Sequence, residues 1–331
     1  MNLCSRSVLA LAAAMLLPAQ TQRAGDYKIT GPFTHENLTV FLIHGPDKTT
    51  RNLLTLEEAI DQRKVVVYET RNVNELTVEN VSNEDVFIES GDIVKGGAQD
   101  RTLKDDLILP TKSGKVSLSA FCVEHGRWTQ RGSEPVATFG SASGAVATKE
   151  LKMAVRLTSD QGEVWNQVAK AQARLASAMG GNVRPAASPT SFQMTMEAPA
   201  VRRSTDGYIQ ELAGVVNHQN DVVGYAFLIN GKMNSADIYG SHDLFARLWM
   251  KLLRSSAVEA VSQYQAGAKI PAVDAGAVKT MFADAESAEP AVRDLTARTR
   301  VVTKETARNV LFETHGRAQR DAWIHRNYIT K

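Results

Sequence analysis

The chain has 331 residues, of which 43% are hydrophobic and 22% are charged, a composition typical of folded globular proteins rather than disordered ones. The formal net charge is only +2, so the overall charge gives no sign of the strongly basic surface that nucleic acid or an anionic membrane requires. We therefore expect no nucleic-acid partner.

The first nineteen residues have the pattern of a secretory signal. Arg6 supplies positive charge, residues 8–17 are apolar, and Pro18 and Ala19 follow. An apolar run of about ten residues is too short to span a bilayer. The pattern predicts a signal peptide over 1–19, a secreted or periplasmic protein, and no stable membrane insertion after the signal is removed. Cleavage also removes Cys4, which leaves Cys122 as the single cysteine of the mature chain.

Residues 28–331 are predicted to form a single domain whose first half is mostly β-sheet. Runs of alternating or β-branched residues predict its strands. One short helix is predicted over residues 56–62, because Thr55 and Glu58 have the spacing of a capping box. The predicted strands of this half are residues 38–44, 64–70, 75–80, 85–89, 106–109 and 116–123.

The second half is predicted to mix helices with strands. Two stretches rich in Gly, Ser, Ala or Pro, residues 132–148 and 180–203, are predicted as surface loops. Between them, Asp160 begins a helix that Gly180 ends. The other predicted helices are residues 205–216, 242–264 and 275–283, and the predicted strands are 222–229, 236–239, 299–303, 309–314 and 323–328.

These elements show no regular β-α-β alternation, so the predicted fold class is α+β. We expect a β-rich N-terminal half, with mixed or antiparallel sheets packed against several amphipathic helices. The strand pair 222–229 and 236–239 has the strongest hairpin signal of the chain, because Asn230 and Gly231 are the residues that a tight two-residue turn favours.

The most informative segment is a charged, glycine-rich turn at residues 91–101, Gly-Asp-Ile-Val-Lys-Gly-Gly-Ala-Gln-Asp-Arg, which we call the Gly91 loop. Adjacent glycines can adopt positive φ and expose their N–H groups to an anion, and flanking cations would add charge. An arginine can also bind two phosphate oxygens at once. The predicted ligand-binding residues of the loop are Lys95, Gly96, Gly97, Gln99 and Arg101.

A second charged segment follows the strand that ends near Cys122. Glu124 and Asp100 are the predicted general acid or base residues, with Glu89 and Asp92 as further candidates for a base or a hard-metal ligand. The list of predicted ligand-binding residues is completed by Arg127 and Trp128. The flanks of Cys122, Phe121 and Val123, predict a buried thiol rather than a nucleophile.

A structural interpretation of the same residues stays open. In it, Gly96 and Gly97 only turn a hairpin, and Arg101 pairs with Glu124 or Asp100 to join two strands. No metal site is predicted, because the seven histidines are scattered and no His or Cys pair has zinc-ligand spacing.

The chain resembles the ARG and rhodanese-phosphatase-superfamily-associated protein family. The Gly91 loop, Phe121 to Glu124 with Arg127-Trp128, residues 224–240, and Leu-Phe-Ala-Arg-Leu-Trp-Met-Lys-Leu-Leu-Arg at 244–254 carry this resemblance. It extends from about residue 30 to the end of the chain. The resemblance implies an association with ADP-ribose and NAD metabolism, and it implies no particular reaction or cofactor.

Three functions remain open at this point. An exported binding protein for a small anionic, phosphorylated or nucleotide-like metabolite needs only the cations of the Gly91 loop. A hydrolase for such a metabolite also needs Glu124 or an aspartate beside the same pocket. The alternative is a non-enzymatic envelope interaction module, in which the motifs are structural. The three differ in whether the charged side chains face an open cleft or a packed, ion-paired interior.

Overall fold

The computed structural model describes residues 27–317 and 323–331. The predicted signal peptide, residues 1–19, lies outside the described residues. The strands are β1 (Lys28–His35), β2 (Leu38–His44), β3 (Leu53–Thr55), β4 (Val65–Asn72), β5 (Glu75–Asn80), β6 (Asp85–Ile88), β7 (Asp92–Gly96), β8 (Arg101–Leu103), β9 (Leu107–Leu109), β10 (Gly114–Cys122), β11 (Thr138–Val146), β12 (Val222–Ile229), β13 (Lys232–Tyr239), β14 (Pro290–Asp294), β15 (Thr299–Glu305), β16 (Asn309–Gly316) and β17 (Trp323–Thr330).

Helices connect and cover these strands. The α-helices are α1 (Leu56–Asp61), α2 (Lys149–Met153), α3 (Gln161–Met179), α4 (Phe192–Glu197), α5 (Pro199–Leu212), α6 (His242–Ser262) and α7 (Ala275–Glu286). A turn of π-helix, Ala154–Thr158, continues α2, and a 3-10 turn, Ala213–Val216, continues α5. The predicted class, α+β with a β-rich N-terminal half, is confirmed.

The strands form three sheets. The largest has eight antiparallel strands in the order β1-β2-β12-β13-β17-β16-β15-β14. A closed six-stranded barrel has the order β10-β5-β4-β11-β7-β8, and a small three-stranded sheet has the order β3-β6-β9. The Gly91 loop contributes β7 to the barrel, so it belongs to the closed sheet rather than to an open surface turn.

The eight-stranded sheet has a buried core on each face. Alternate residues of a strand point to opposite faces. One face packs against α7, where Ile238 of β13 and Tyr328 of β17 join the same apolar cluster as Phe282. The other face packs toward α6, with Phe245 and Trp249 in the large cluster. Polar side chains occupy part of this second face.

Two of the predicted loops contain regular structure. Residues 132–148 include β11, and residues 180–203 include α4 and the start of α5. Small residues in β11 serve close packing, because a Cβ at Gly144 would lie 2.2 Å from a guanidinium nitrogen of Arg254. Pro199 is at the start of α5, where a proline is tolerated because the first N–H groups of a helix have no intrahelical partner.

Among the described residues, none of the helices combines the length and the apolar character that crossing a membrane requires.

Candidate functional site

The Gly91 loop turns sharply at its two adjacent glycines. Gly96 has a φ of +119° and Gly97 a φ of +54°, a region that residues with a Cβ rarely adopt. A Cβ on Gly97 would lie 2.3 Å from the ring of Phe139 on the neighbouring strand β11. The two glycines are therefore required by the barrel itself, whatever else the loop does.

The N–H groups and the lysine of this turn already have partners in the protein. The Gly96 N–H donates to Asp100 Oδ1 at 3.1 Å, and the Gly97 N–H donates to the carbonyl of Pro135 at 3.1 Å. Lys95 Nζ lies 2.5 Å from Glu197 Oε2. These donors do not face an open anion site.

Arg101 lies inside the barrel, with its side chain fully buried. Its Nη1 donates to the carbonyl of Val73 at 3.0 Å and contacts the Cys122 sulfur, and its Nη2 lies 3.3 Å from Glu69 Oε1. The partner of Arg101 is therefore Glu69, not Asp100 or Glu124 as the structural interpretation supposed. Burial raises the pKa of the Cys122 thiol to about 11, although Arg101 lowers it.

Asp100 and Glu124 meet in a second buried ion-pair cluster. The Asp100 N–H donates to Glu124 Oε2 at 2.9 Å, so the Gly91 loop and the segment after Cys122 are in contact. Arg131 donates to Asp100 Oδ1 at 2.7 Å, and Arg127 Nε donates to Glu124 Oε1 at 2.7 Å. Burial would raise the pKa of Glu124, but hydrogen bonds from Arg127 and Ser188 hold it below its ordinary value.

Gln99 and Trp128, the remaining predicted ligand-binding residues, differ in exposure. The amide of Gln99 is fully buried, and among the described residues neither its nitrogen nor its oxygen has a partner. Trp128 is 51% exposed. The structure thus brings Lys95, Asp100, Glu124 and Arg127 into packed ion pairs around the turn, and Arg101 into a separate pair.

A further polar cluster occupies the α6-facing side of the eight-stranded sheet. Asp237 and Tyr239 alternate along β13, and His325 and Asn327 alternate along the paired strand β17, where Tyr239 is opposite His325 and Asp237 is opposite Asn327. Thr314 of β16 is opposite His325 on the other side. This register places five polar side chains on one buried patch.

Carboxylates from the segment around the Gly91 loop cover this patch. Glu89 and Asp92 flank the turn between β6 and β7, and Asp106 precedes β9. All three are buried. The cluster that they form with the sheet is called the buried polar centre below, and its members are Glu89, Asp92, Asp106, Asp237, Tyr239, His325 and Asn327.

His325 joins two carboxylates of the buried polar centre. Its Nδ1 lies 2.9 Å from Asp106 Oδ2 and its Nε2 lies 3.2 Å from Asp237 Oδ1. Burial alone would lower the pKa of His325, but Asp106 and Asp237 raise it to about 10. The ring also stacks on Tyr239, with 4.5 Å between centroids. Asp106, Asp237 and Tyr239 therefore fix the imidazole in position, and the two carboxylates favour its charged form.

Glu89 is the least satisfied carboxylate of the centre. Tyr239 donates its hydroxyl to Glu89 Oε1 at 3.0 Å, and Lys152 Nζ lies 3.9 Å from the same oxygen. Glu89 Oε2 has no hydrogen-bond partner among the described residues. Burial raises the pKa of Glu89 to about 7, although Lys152 and His325 lower it.

Two cations on α2 and the following π-turn reach this region. Lys152 and Arg156 are four residues apart and both are buried. The Lys152 stem packs over Gly91, where a Cβ would lie 2.7 Å from Lys152 Cε. The Arg156 guanidinium packs 3.6 Å from the ring centre of Phe312, and its three nitrogens have no hydrogen-bond partner among the described residues. Single π-turns occur frequently at functional sites.

Space inside the centre is small. A cavity of about 10 Å³ lies beside Asp237 and Lys152, which is enough for about one water molecule. Lys251 forms a buried ion pair with Asp92 of the centre. An ion or a water molecule fits this space, whereas a larger ligand requires the displacement of covering side chains.

The centre combines chemical groups that the Gly91 turn lacks. It has a carboxylate oxygen without a partner, an imidazole oriented by a carboxylate, and cations without full pairing. Such a set can hold a cation, orient a water molecule and neutralise an anion. The arginine and lysine side chains of the turn at Lys95 to Arg101, by contrast, are already neutralised by carboxylates of the protein.

Sequence reasoning included Glu89 and Asp92 among its candidates but missed most of this centre. Asp237 and Tyr239, and likewise His325 and Asn327, are two residues apart in strands that were predicted. In β13, polar residues on either side of the apolar Ile238 were the available signal; in β17 the charged Arg326 between His325 and Asn327 hides this alternation. Lys152 and Arg156 gave no comparable signal, because they lie in a short, irregular helical segment.

The fold and the two buried clusters define a β-rich α+β protein with polar groups in its interior. The chain belongs to the family described as ARG and Rhodanese-Phosphatase-superfamily-associated Protein domain, whose model it matches over residues 26–329. No curated protein and no solved structure matches the chain significantly. The match fixes family membership and, in coarse terms, agrees with phosphate-related metabolism; it assigns no reaction.

Proposed function

We propose that the protein binds a phosphorylated, nucleotide-like metabolite of the ADP-ribose type beside the buried polar centre, with displacement of covering side chains, and hydrolyses it. Arg156 carries the proposal. Its guanidinium is buried, and its Nε and both Nη atoms lack hydrogen-bond partners among the described residues. A buried charge without a partner is costly, so an anion that pairs with it gains binding free energy.

The guanidinium of Arg156 suits a phosphate, although the carboxylates of Asp106, Asp105 and Asp237 lie near enough to stabilise its charge. Phe312 supports the flat face of the guanidinium, which leaves its N–H edge free to bind two oxygens of one phosphate. Lys152 supplies a second cation four residues earlier. Together they can neutralise a doubly charged phosphate group.

In this proposal, the first two residues of the Gly91 loop lie beside the ligand site. Gly91 gives space to Lys152, and Asp92 holds Lys251. Lys95 and Arg101 hold the barrel together instead, because each is paired with a glutamate. The proposed ligand site is therefore next to the start of the Gly91 loop, near Gly91 and Asp92, and not next to Lys95 or Arg101.

Hydrolysis of a phosphoester at this site needs only water as co-reactant. The water oxygen forms a bond to phosphorus, and the bond from phosphorus to the leaving oxygen breaks with its electron pair. A carboxylate takes the proton from water, and the leaving oxygen gains a proton in turn. Asp237 lines the water-sized cavity and is placed to orient that water.

Ligand-dependent stability of the mature protein tests the binding step. ADP-ribose, AMP and inorganic phosphate are added separately, and unfolding is followed by differential scanning fluorimetry. A bound anion should raise the free energy of unfolding by about 2.7 kcal/mol at a hundredfold excess over its dissociation constant. Arg156→Met should remove this shift, whereas Arg298→Gln, on an exposed side chain, should keep it.

Stability without ligand separates this proposal from a purely structural role. If Arg156 awaits an anion, Arg156→Met should leave the free protein equally or more stable, since it removes a buried charge that no hydrogen bond compensates. If Arg156→Met melts much earlier and no anion stabilises the wild type, the site is architectural. The alternative function, a non-enzymatic envelope interaction module, would then be favoured. Phosphorus NMR of the ligand after incubation distinguishes hydrolysis from binding alone.

Export is part of the proposed function and has its own test. The apolar run over residues 8–17 supports a cleaved signal peptide. The protein expressed with its full N-terminus should be recovered from the envelope or the medium, and N-terminal sequencing should place the cleavage near Ala19. Recovery from the cytosol with Met1 still present would contradict export.

A further inference from the structure

We infer that Glu89, Asp237 and His325 bind one divalent metal ion. The three residues come from three distant parts of the chain: the turn after β6, the strand β13 and the strand β17. Each offers one ligand atom, and these atoms all lie within 4.8 Å of one another. All three side chains are buried, so the ligand atoms are shielded from bulk water.

Two buried oxygens without hydrogen-bond partners favour cation binding here. Glu89 Oε2 is buried and has no partner among the described residues. The Oδ1 atom of Asn327 is also unpartnered, while its Nδ2 donates to Asp237 Oδ1 at 2.6 Å. A buried carboxylate oxygen without a donor is unfavourable. A metal ion bound by Glu89 would compensate this cost.

Surrounding residues orient the three ligands as an outer shell does in metal sites. Asp106 Oδ2 lies 2.9 Å from His325 Nδ1 and holds the ring so that Nε2 faces the centre. Asp106 is itself fixed by the Ser90 N–H at 2.7 Å and by the Thr314 hydroxyl at 2.7 Å. Tyr239 fixes Glu89 through the other carboxylate oxygen.

The ligand set selects a class of metal. Two carboxylates and one imidazole suit Mn²⁺, Fe²⁺ or Zn²⁺, whereas sites for Ca²⁺ and Mg²⁺ use oxygen ligands. A water-sized cavity lies beside Asp237, one of the three proposed ligands. The sequence has no His or Cys pair with zinc-ligand spacing, but this site does not require one, because each of its three ligands comes from a separate element.

A metal-free alternative exists in the same residues. In it, a proton on Nε2 of His325 is shared with Asp237, and the charges of the centre balance through Lys152 and Lys251. A metal ion would take the place of that proton. The two alternatives therefore differ in whether the folded protein takes up a metal ion with release of a proton.

The role of this metal in the reaction rests on the proposed function, but its binding does not. A metal at this position would lower the pKa of its bound water and supply the attacking hydroxide for the phosphoester. Arg156, which would bind the phosphate, is not among the proposed metal ligands.

Metal content and affinity of the purified mature protein test the inference. The protein is treated with a chelator, dialysed, and titrated with MnCl₂, ZnCl₂ or MgCl₂ alone by isothermal titration calorimetry. Elemental analysis then measures the bound metal. We expect one equivalent of Mn²⁺ or Zn²⁺ per chain, weaker Mg²⁺ binding, and a proton released on binding that buffers of different ionisation enthalpy reveal.

Variants locate the metal. Glu89→Gln and Asp237→Asn should each weaken binding by more than about tenfold, while circular dichroism confirms that they fold. The matched control is Glu259→Gln, which also changes a buried carboxylate lining the same cavity as Asp237 but is not a proposed ligand. It should bind as the wild type does.

Several outcomes overturn the inference. One is a wild type that takes up no Mn²⁺ or Zn²⁺ and shows no metal-dependent change in melting temperature. Another is metal binding that survives both Glu89→Gln and Asp237→Asn. Arg156→Met separates the two proposals, because it should abolish anion binding while metal binding persists. Anion binding without metal uptake would reject only the metal.

Discussion

At the scale of single residues, the two cations that flank the turn of the Gly91 loop have different surroundings. Arg101 is fully buried, and its partner Glu69 is almost so. Lys95 and its partner Glu197 each keep roughly a fifth of their side-chain surface exposed. Exposed pairs contribute little to stability, whereas removing one member of a buried pair leaves an uncompensated charge.

The first prediction compares these two cations. Arg101→Ala should lower the free energy of unfolding by about 3–5 kcal/mol, because it leaves Glu69 buried without its partner. Lys95→Ala should lower it by less than about 1 kcal/mol. Urea denaturation followed by circular dichroism measures both. Equal effects of the two substitutions would contradict the assignment of Arg101 to the barrel interior.

The second prediction concerns Cys122, which is fully buried at the end of β10. Cys122→Ala should cost about 1–2 kcal/mol of stability, since it removes a small buried side chain. The native thiol should also react slowly with iodoacetamide, because burial raises its pKa to about 11. Labelling as fast as in the urea-unfolded protein would show that the thiol is accessible.

At the scale of elements, the sequence predicted most strands and helices because their local signals agree with their environment. Strands β2, β5 and β12 have the predicted bounds, and the capping residue Asp160 begins α3 as expected. The strand β11 was missed, because closing a barrel selects small residues that have low strand propensity. The polar face of β13 and β17 was missed because its partners come from distant segments.

The third prediction tests the packing of the barrel at its glycine turn. Gly97→Ala should be much more destabilising than Gly114→Ala. Both glycines have positive φ, of +54° and +62°, but only at Gly97 would a Cβ clash, with the ring of Phe139. We expect about 1 kcal/mol for Gly114→Ala from φ alone, and a larger loss for Gly97→Ala from the added overpacking. Thermal unfolding of both variants measures the difference, and equal losses would contradict it.

At the scale of the whole molecule, one short segment joins the two buried polar clusters. Residues 89–106 include Glu89, Asp92 and Asp106 of the buried polar centre, and Asp100 of the ion-pair cluster around the turn. The barrel therefore holds the middle of this segment through β7 and β8, while residues at both of its ends contact the eight-stranded sheet. This arrangement explains why a motif that is specific in sequence contains both structural pairs and candidate site residues.

Buried carboxyl groups also make the stability of the whole fold depend on pH, and Glu259 of α6 shows this effect apart from the proposed metal ligands. Burial and the nearby Glu150 raise the pKa of Glu259 from 4.5 to about 7 in the folded protein. Between these values the folded state keeps a proton that the unfolded chain has lost. Stability contributed by this group is therefore highest below about pH 4.5 and falls as the pH rises toward 7.

The last prediction follows from this loss of stability with rising pH. Glu259→Gln removes the titration, and its amide oxygen can still accept from the Lys149 N–H. In the wild type Asn234 Nδ2 donates to Glu259 Oε2, so the new NH₂ group requires the Asn234 amide to turn over and present its unpartnered Oδ1. The variant should gain stability relative to the wild type as the pH rises from 5 to 8, approaching about 1.4 kcal/mol for each unit of pKa shift. Urea unfolding at several pH values measures this difference, with Glu289→Gln, on an exposed side chain, as the control. A difference between Glu259→Gln and the wild type that stays constant across this range would show that Glu259 is ionised in the folded protein throughout.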